Sequence, residues 1–136
     1  MNMQRLALVG LVVLLSACAE MSTQNTQLEL TLIQYEKTLR WSGIEQTNIY
    51  RKQPINFSPQ QREMFKKIKV TGYDTIQTSY SHSELKQVLV HQLVEVRFVN
   101  QDTQVEHKYT EQQTWEWDES AKRWWLVSPF PAISLH

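Results

Sequence analysis

The chain has 136 residues, a formal net charge of zero and a single cysteine. This length predicts one domain, and the balanced charge, without basic clusters, argues against nucleic acid as a partner. Five tryptophans and five tyrosines, beside only four prolines and three glycines, favour a packed globule over a disordered chain. The lone cysteine has no partner for an intramolecular disulfide, so the fold must depend on its core.

The N-terminus has the parts of a secretory signal peptide. Arg5 supplies a positive charge, residues 6–15 (LALVGLVVLL) carry no charge, and the small residues Ser16 and Ala17 follow. This apolar run is about half of the roughly 20 residues that a membrane-spanning helix requires, so a permanent membrane helix is the weaker interpretation. We therefore predict that residues 1–17 are removed.

The cysteine follows this segment directly. Leu15-Ser16-Ala17-Cys18 resembles the bacterial lipoprotein lipobox, in which the cysteine thiol receives diacylglycerol before cleavage. The resemblance implies a lipid anchor. In that family, an Asp directly after the cysteine often retains the protein in the inner membrane. Here that residue is Ala19, which implies the periplasmic face of the outer membrane. One acyl chain binds a membrane only marginally, but a lipoprotein cysteine carries more than one. An unlipidated Cys18, in the apolar run or after cleavage at Ala17, is the alternative.

The mature chain is predicted to contain a tether and one domain. Residues 18–25, the lipidated cysteine followed by AEMSTQN, are polar and lack hydrophobic periodicity. At about 3.3 Å per extended residue this tether would reach about 25 Å from the lipid. A single α+β domain is expected over residues 26–136.

The first helix of the domain is predicted to start at a capping box. Thr26 and Glu29 have the spacing at which each side chain binds the other residue's backbone N–H, and Gly43 is suited to the C-terminal cap. Residues 44–57 are expected to be irregular. One apolar stripe follows from the helical spacing of Leu28, Leu32, Tyr35 and Leu39.

A short second helix is predicted after this irregular segment. Ser58 is the expected N-cap, Pro59 occupies the first helical position, and Gln61 completes a capping box. Met64 and Phe65 should be buried.

After about residue 67 the hydrophobic period becomes two, which predicts strands. An early strand is expected at about 68–80, and the residues of one parity from Val88 to Phe98 are mostly valine. A turn at Gln101-Asp102 would place opposite charges on one face and mostly apolar partners on the other. The predicted partners are Phe98–Val105, Arg97–Glu106, Val96–His107, Glu95–Lys108 and Val94–Tyr109.

A second hairpin is predicted around residues 118–121. A four-residue loop would pair Trp115 with Trp124, and a five-residue loop would pair it with Trp125; both remain open. The fold class is therefore α+β, with N-terminal helices on a curved antiparallel sheet of about five strands. This order, with RWWLVSP at residues 123–129, resembles the nuclear transport factor 2-like (SnoaL-like) cone over residues 26–133. That family contains enzymes, binding modules and scaffolds, so the resemblance does not select a function.

The predicted register puts polar residues on the otherwise apolar face that should meet the first helix. The candidate pocket residues are Trp41, Gln92, His107, Tyr109, Glu111, Gln113 and Trp115. One hypothesis is a ligand cavity between helix and sheet with His107 and Glu111 as polar anchors; the alternative is a sheet end open to water. His107 and Glu111 would lie roughly 13 Å apart along their strand, which excludes a direct acid–base pair.

No catalytic pattern is evident, and we predict a protein that is not an enzyme. The histidines lack the spacing of metal ligands, and His91 should face water. The serines of SYSHSELK (residues 79–86) lack the glycine elbow of a hydrolase, so a turn is the better interpretation. The sequence therefore predicts no metal and no cofactor.

Adjacent tryptophans suggest a protein-binding surface. Trp124 and Trp125 must point to opposite faces of their strand, and with Phe130 they form the candidate partner surface, unless they simply cap the core. Our first hypothesis is a non-catalytic accessory lipoprotein that binds another envelope protein through its sheet. The second is binding, or turnover, of a small apolar ligand in the cone. The sequence leaves the oligomeric state open.

Overall fold

Helices precede a single antiparallel sheet in the structure, a computed structural model that describes the backbone of residues 3–135 and the side chains of residues 21–135. The helices are α1 (Met3–Trp41), a 3-10 helix (Glu45–Tyr50) and α2 (Pro59–Lys66). The strands, each paired with the next, are β1 (Ile68–His82), β2 (Val88–Asn100), β3 (Glu106–Asp118) and β4 (Arg123–Leu126). The α+β class is confirmed, but the sheet has four strands over the described part of the chain, not about five.

α1 begins well before the predicted helix start. Its backbone is helical through residues 18–25, the predicted tether, where neither glycine nor proline interrupts the helix. Thr26 is therefore an interior helical residue, and its prediction as an N-cap is wrong. The side chains of residues 1–17 and of Cys18 lie outside those described. Among the residues with described side chains, no helix is long and apolar enough to span a membrane.

The apolar stripe and the end of α1 agree with prediction. The stripe faces the sheet and consists of the buried or partly buried Leu28, Leu32, Tyr35 and Leu39. Gly43 has a φ of +101°, and its N–H donates to the Thr38 carbonyl at 3.0 Å. A Cβ at residue 43 would meet no atom within 4 Å. The backbone angle, rather than a lack of space, therefore favours glycine.

α2 begins with the predicted capping box. The Gln61 N–H donates to Ser58 Oγ at 3.1 Å, and the Ser58 N–H donates to Gln61 Oε1 at 2.9 Å, with Pro59 in the first turn. Phe65 is buried and Met64 is partly buried against the core. The predicted capping box and the burial of Phe65 are confirmed, whereas Met64 is less buried than predicted.

β2 and β3 pair two residues away from the predicted register. Phe98 faces His107 rather than Val105. The expected two-residue turn is replaced by the loop 101–105, in which Gln104 has a φ of +58°. A two-residue turn needs positive φ angles that suit Asn and Gly, which Gln101-Asp102 does not offer.

Because the register of β2 and β3 is shifted by two residues, each side chain stays on its predicted face of the sheet but has a different cross-strand partner. Val94, Val96 and Phe98 are completely buried, as predicted. Arg97 faces Lys108 instead of Glu106, and its guanidinium reaches Asp74 Oδ2 at 2.9 Å on β1. Glu95 still contacts Lys108, but diagonally and at 3.6 Å. The predicted Arg97–Glu106 pair is therefore wrong.

The β3–β4 hairpin adopts neither of the two pairings left open. Its partners are Trp115–Leu126, Glu116–Trp125, Trp117–Trp124 and Asp118–Arg123. The loop is organised by the Asp118 carboxylate, which accepts from the backbone N–H groups of Ser120 (3.1 Å) and Ala121 (3.0 Å). Lys122 closes the loop with a φ of +52°.

The sheet is bent, and its inner face is covered by α1. β1 changes register with β2 between Val70 and Gly72 and again between Thr75 and Gln77, and irregularities of this kind bend a strand. Beyond β4, the segment before α2 adds only one parallel bridge, from Arg51 to Leu126. This bridge takes the place where a fifth strand could have formed.

Candidate functional site

Most of the predicted pocket residues lie together on the inner face of the sheet. The buried members are Gln92, Tyr109, Glu111, Gln113 and Trp115. They come from alternate positions of β3 and from the facing position of β2, since Gln92 pairs with Gln113. The predicted parity therefore identified this group correctly.

Two predicted residues stand apart from the group. Trp41 is 78% exposed because it lies two positions after the buried Leu39, about 200° around the helix. His107 is half-buried and stacks on the Phe98 ring, with centroids 5.4 Å apart. The structure thus corrects the placement of Trp41 and gives His107 a packing contact with Phe98.

Glu111 is the centre of a buried hydrogen-bond network. The Tyr35 hydroxyl of α1 donates to its carboxylate at 3.1 Å, and Gln113 Nε2 donates to it at 3.1 Å. Gln113 Oε1 accepts from Trp115 Nε1 at 3.0 Å, and Gln113 Nε2 also lies 3.0 Å from the Tyr73 hydroxyl. The network joins α1, β1 and β3 through groups that would be costly to bury unpaired.

Arg51, which the sequence did not identify, supplies the opposite charge. Its side chain is 4% exposed, Nη1 donates to the Ser128 carbonyl at 2.9 Å, and its guanidinium carbon lies 5.4 Å from the centre of the Phe130 ring. Nη2 is 3.9 Å from Glu111 Oε1, and neither Nη2 nor Nε has a hydrogen-bond partner. Arg51 is therefore a buried cation with incomplete pairing.

Burial controls the protonation of this cluster. It raises the pKa of the Glu111 carboxyl, while the Gln113 hydrogen bond, the Arg51 charge and the Tyr35 hydrogen bond act in the opposite direction. Burial and then the nearby Glu111 raise the pKa of Tyr35 and Tyr109 well above the ordinary value. The two tyrosines therefore stay protonated and uncharged at neutral pH.

Side chains fill the space that the ligand hypothesis requires. The Tyr35 ring lies 5.4 Å from Trp115 and 5.5 Å from Tyr50, edge-on in both cases. A cavity of about 810 Å³ lies instead between α2, the β2–β3 loop and the C-terminal tail. Another, of about 450 Å³, lies beside β4 and Phe130. Neither occupies the interface between α1 and the sheet.

The outer face carries a second polar cluster around His91. Its Nε2 lies 2.7 Å from Ser81 Oγ and its Nδ1 lies 3.2 Å from Thr114 Oγ1. A serine, a histidine and a third oriented group are the parts of a nucleophilic site, but a threonine hydroxyl has no charge with which to stabilise an imidazolium. The contacts connect β1, β2 and β3 on the solvent side.

The predicted aromatic partner surface is mostly covered. Trp124 is 2% exposed, and its Nε1 donates to the Gln24 carbonyl at 3.0 Å. Trp125 is half-buried and donates to Asp118 Oδ2 at 3.1 Å. Phe130 packs against two buried phenylalanines. The three residues do not form an exposed patch, because α1 contacts Trp124, the Arg123 guanidinium lies over the Trp125 ring, and Phe130 packs into the core.

The longest exposed stretch of the sheet is instead the free edge of β1. β1 pairs with β2 on one side and has no strand of the described chain on the other. Residues 74–80 are all exposed, including Ile76 at 57% and Tyr80 at 68%. From Gln77 to His82 the pairing with β2 is regular. This segment therefore presents an ordered, open edge.

Comparisons with known proteins add no family to this description. No protein-family model, curated protein or solved structure matches the chain. Among residues 21–135, no three His, Cys, Asp or Glu side chains are grouped so that they could hold a metal ion. Function is therefore inferred from the residues of this chain alone.

Proposed function

We propose that the chain is a lipid-anchored, non-catalytic module of the bacterial cell envelope that binds a protein partner. The anchor is the lipid on Cys18, behind a signal peptide, and Ala19 favours the periplasmic face of the outer membrane. The order of helices and curved sheet is also compatible with a nuclear transport factor 2-like cone, a fold that does not by itself select a function.

The open edge of β1 is the observation that favours a protein partner. Free N–H and C=O groups of an edge strand accept an added strand unless charges, proline or a covering element prevent it. Beyond the register irregularity between Thr75 and Gln77, the exposed run 77–80 (QTSY) has no charged residue and no proline. We infer that an extended segment of an envelope protein adds to β1 as a further strand.

The ligand hypothesis has less support. It requires an apolar cavity of about 300 Å³ or more between α1 and the sheet, where Tyr35, Tyr50 and Trp115 pack edge to face. Because side chains fill the interface between α1 and the sheet, a binding partner must contact the outside of the domain.

Site-specific photo-crosslinking in living cells tests the proposed edge. A photoreactive residue at Ser79, in the exposed edge, should give an adduct of one defined mass with an envelope protein. The matched control is Arg97, which is also exposed but lies on β2, where it is paired with Gly72 of β1 and with Lys108 of β3. Equal adducts at both positions would contradict the proposal.

A charge placed on the edge provides the second arm of this test. Thr78→Lys should abolish the Ser79 adduct, because an edge lysine opposes strand addition. Thr110→Lys adds the same charge elsewhere on the sheet and should leave the adduct intact. An adduct that survives Thr78→Lys would show that the partner does not pair with β1.

The anchor is tested separately with Cys18→Ser. This variant should move from the membrane fraction to soluble or unprocessed material, because no thiol remains to receive lipid. A Cys18→Ser protein that is still processed after residue 17 and still membrane-bound would refute the lipid anchor.

A further inference from the structure

α1 identifies which end of the domain lies nearest to Cys18. The Trp124 indole N–H donates to the Gln24 carbonyl at 3.0 Å, so Gln24 lies at the end of the sheet where β4 begins. Further along α1, Tyr35 binds Glu111, deeper in the sheet. α1 therefore crosses the sheet from β4 at this end toward β3 and β1, where Tyr35 also meets the Tyr73 ring, and its residues before Gln24 continue past this end toward Cys18.

The β1–β2 turn lies at the same end. His82 faces Val88 in the last row of the β1–β2 ladder, and Trp117 faces Trp124 in the corresponding part of β3 and β4. The turn 83–87 projects beyond this row, on the side to which α1 also continues.

A leucine is held at the tip of this turn. Leu85 is 84% exposed, in a turn closed by hydrogen bonds from the Ser83 N–H to the Gln87 carbonyl (2.9 Å) and from the Lys86 N–H to the Ser83 carbonyl (2.8 Å). Its exposure is therefore imposed by an ordered turn. One exposed leucine is ordinary on a protein surface, so the position of this one matters more than its exposure.

The extension of α1 beyond the sheet and the β1–β2 turn are of similar length. From Gln24 to Cys18 an α-helix rises about 9 Å, and from His82 to Leu85 the chain extends at most about 10 Å. Met21, on the same extension of α1, is 66% exposed.

We propose that Leu85 inserts into the interface of the membrane that holds Cys18, as a second contact between domain and bilayer; this rests on the proposed lipid anchor. A short apolar insertion adds to the acyl anchor and restricts rotation of the domain about it. The second contact therefore sets the direction in which the β1 edge points.

Fluorescence of the mature acylated protein tests this contact. Leu85→Cys and the control Val105→Cys are each labelled with an environment-sensitive fluorophore and reconstituted on vesicles of phosphatidylethanolamine and phosphatidylglycerol, with and without nitroxide-labelled lipid. Val105 is 51% exposed and lies in the β2–β3 loop, at the opposite end of the sheet. We expect a blue shift and nitroxide quenching at position 85 and neither at position 105.

The other outcomes separate the contact from the anchor. Flotation with the vesicles, without quenching at position 85, would overturn the insertion and leave the anchor intact. Failure to float, with Cys18 of the unsubstituted protein open to thiol reagents, would overturn the anchor and the insertion together. A blue shift at position 85 that persists in detergent, without quenching by nitroxide lipid, would mean that a second protein copy covers Leu85 and would also overturn the insertion.

Discussion

Removing Arg51 should destabilise the domain because it leaves Glu111 as a buried, unbalanced charge. Both side chains are at most 4% exposed, and loss of one partner of a buried ion pair costs about 3–5 kcal/mol. The Nη2–Oε1 distance of 3.9 Å is long, and Nη2 has no hydrogen bond. We therefore expect Arg51→Met to cost about 3 kcal/mol at pH 7, the lower end of that range.

The assay is urea unfolding of wild type, Arg51→Met, Glu111→Gln and the double variant, followed by tryptophan fluorescence. The double variant should be more stable than the sum of the single losses predicts, by about 0.5–3 kcal/mol, because it contains neither unbalanced charge. Arg62→Met is the control, since Arg62 and its partner Glu45 are 49% and 38% exposed and such pairs contribute at most about 1 kcal/mol. Strictly additive losses would refute the coupling.

The pH dependence gives a second check with a defined sign. Burial raises the pKa of Glu111, so the folded chain holds this proton more tightly than the unfolded chain. The stability that this tighter proton binding contributes is fully present below the pKa of Glu111 in the unfolded chain, about 4.3. It is lost as the pH rises through the pKa of Glu111 in the folded chain. Arg51→Met removes an influence that lowers this pKa. Its stability loss should therefore be largest at high pH and shrink toward pH 4, and a loss that is constant from pH 4 to 8 would contradict the pairing.

Three further predictions concern the core, a helix end and a turn. Phe98→Ala should cost about 3–5 kcal/mol in urea unfolding because Phe98 is completely buried; an unchanged midpoint would argue against this core. Gly43→Ala should cost about 1–2 kcal/mol, since φ is +101°, and a neutral result in the same assay would argue against that angle. Hydrogen bonds from Ala121, Ser120 and Trp125 lower the pKa of Asp118 to about 2. Asp118→Asn should therefore reduce stability at pH 7 and progressively less as the pH falls from about 4 toward 2; a loss equal at pH 7 and pH 2 would contradict this.

Periodicity predicted the faces of the strands better than their partners. Alternation places Val94, Val96 and Phe98 on one face whichever loop joins the strands, and all three are buried. The partner of each residue depends on the loop, and a loop of 101–105 shifts the pairing by two residues without changing any face. Opposite charges could not choose between these registers, because long side chains such as Glu95 and Lys108 still meet diagonally.

Residues that act through distant contacts could not be predicted from local patterns. Arg51 meets Glu111 across 60 positions of the chain, and its neighbours form neither a helix nor a strand pattern. Trp41 was placed in the pocket by residue type, although its position in α1 relative to Leu39 already puts it on the outer face. The early start of α1 was missed because a polar composition was taken to indicate a tether, although these residues include neither glycine nor proline to stop a helix.

α1 is both the layer that covers the sheet and the segment that leads to Cys18. The Tyr35–Glu111 hydrogen bond and the Gln24–Trp124 hydrogen bond hold it at two points on β3 and β4. The orientation of the sheet relative to Cys18 is therefore fixed by the packing of α1. Because β1 is the strand farthest from β4 in the sheet order, its free edge points away from the side on which Gln24 is bound. A partner that pairs with β1 would therefore meet no steric conflict with that end of α1.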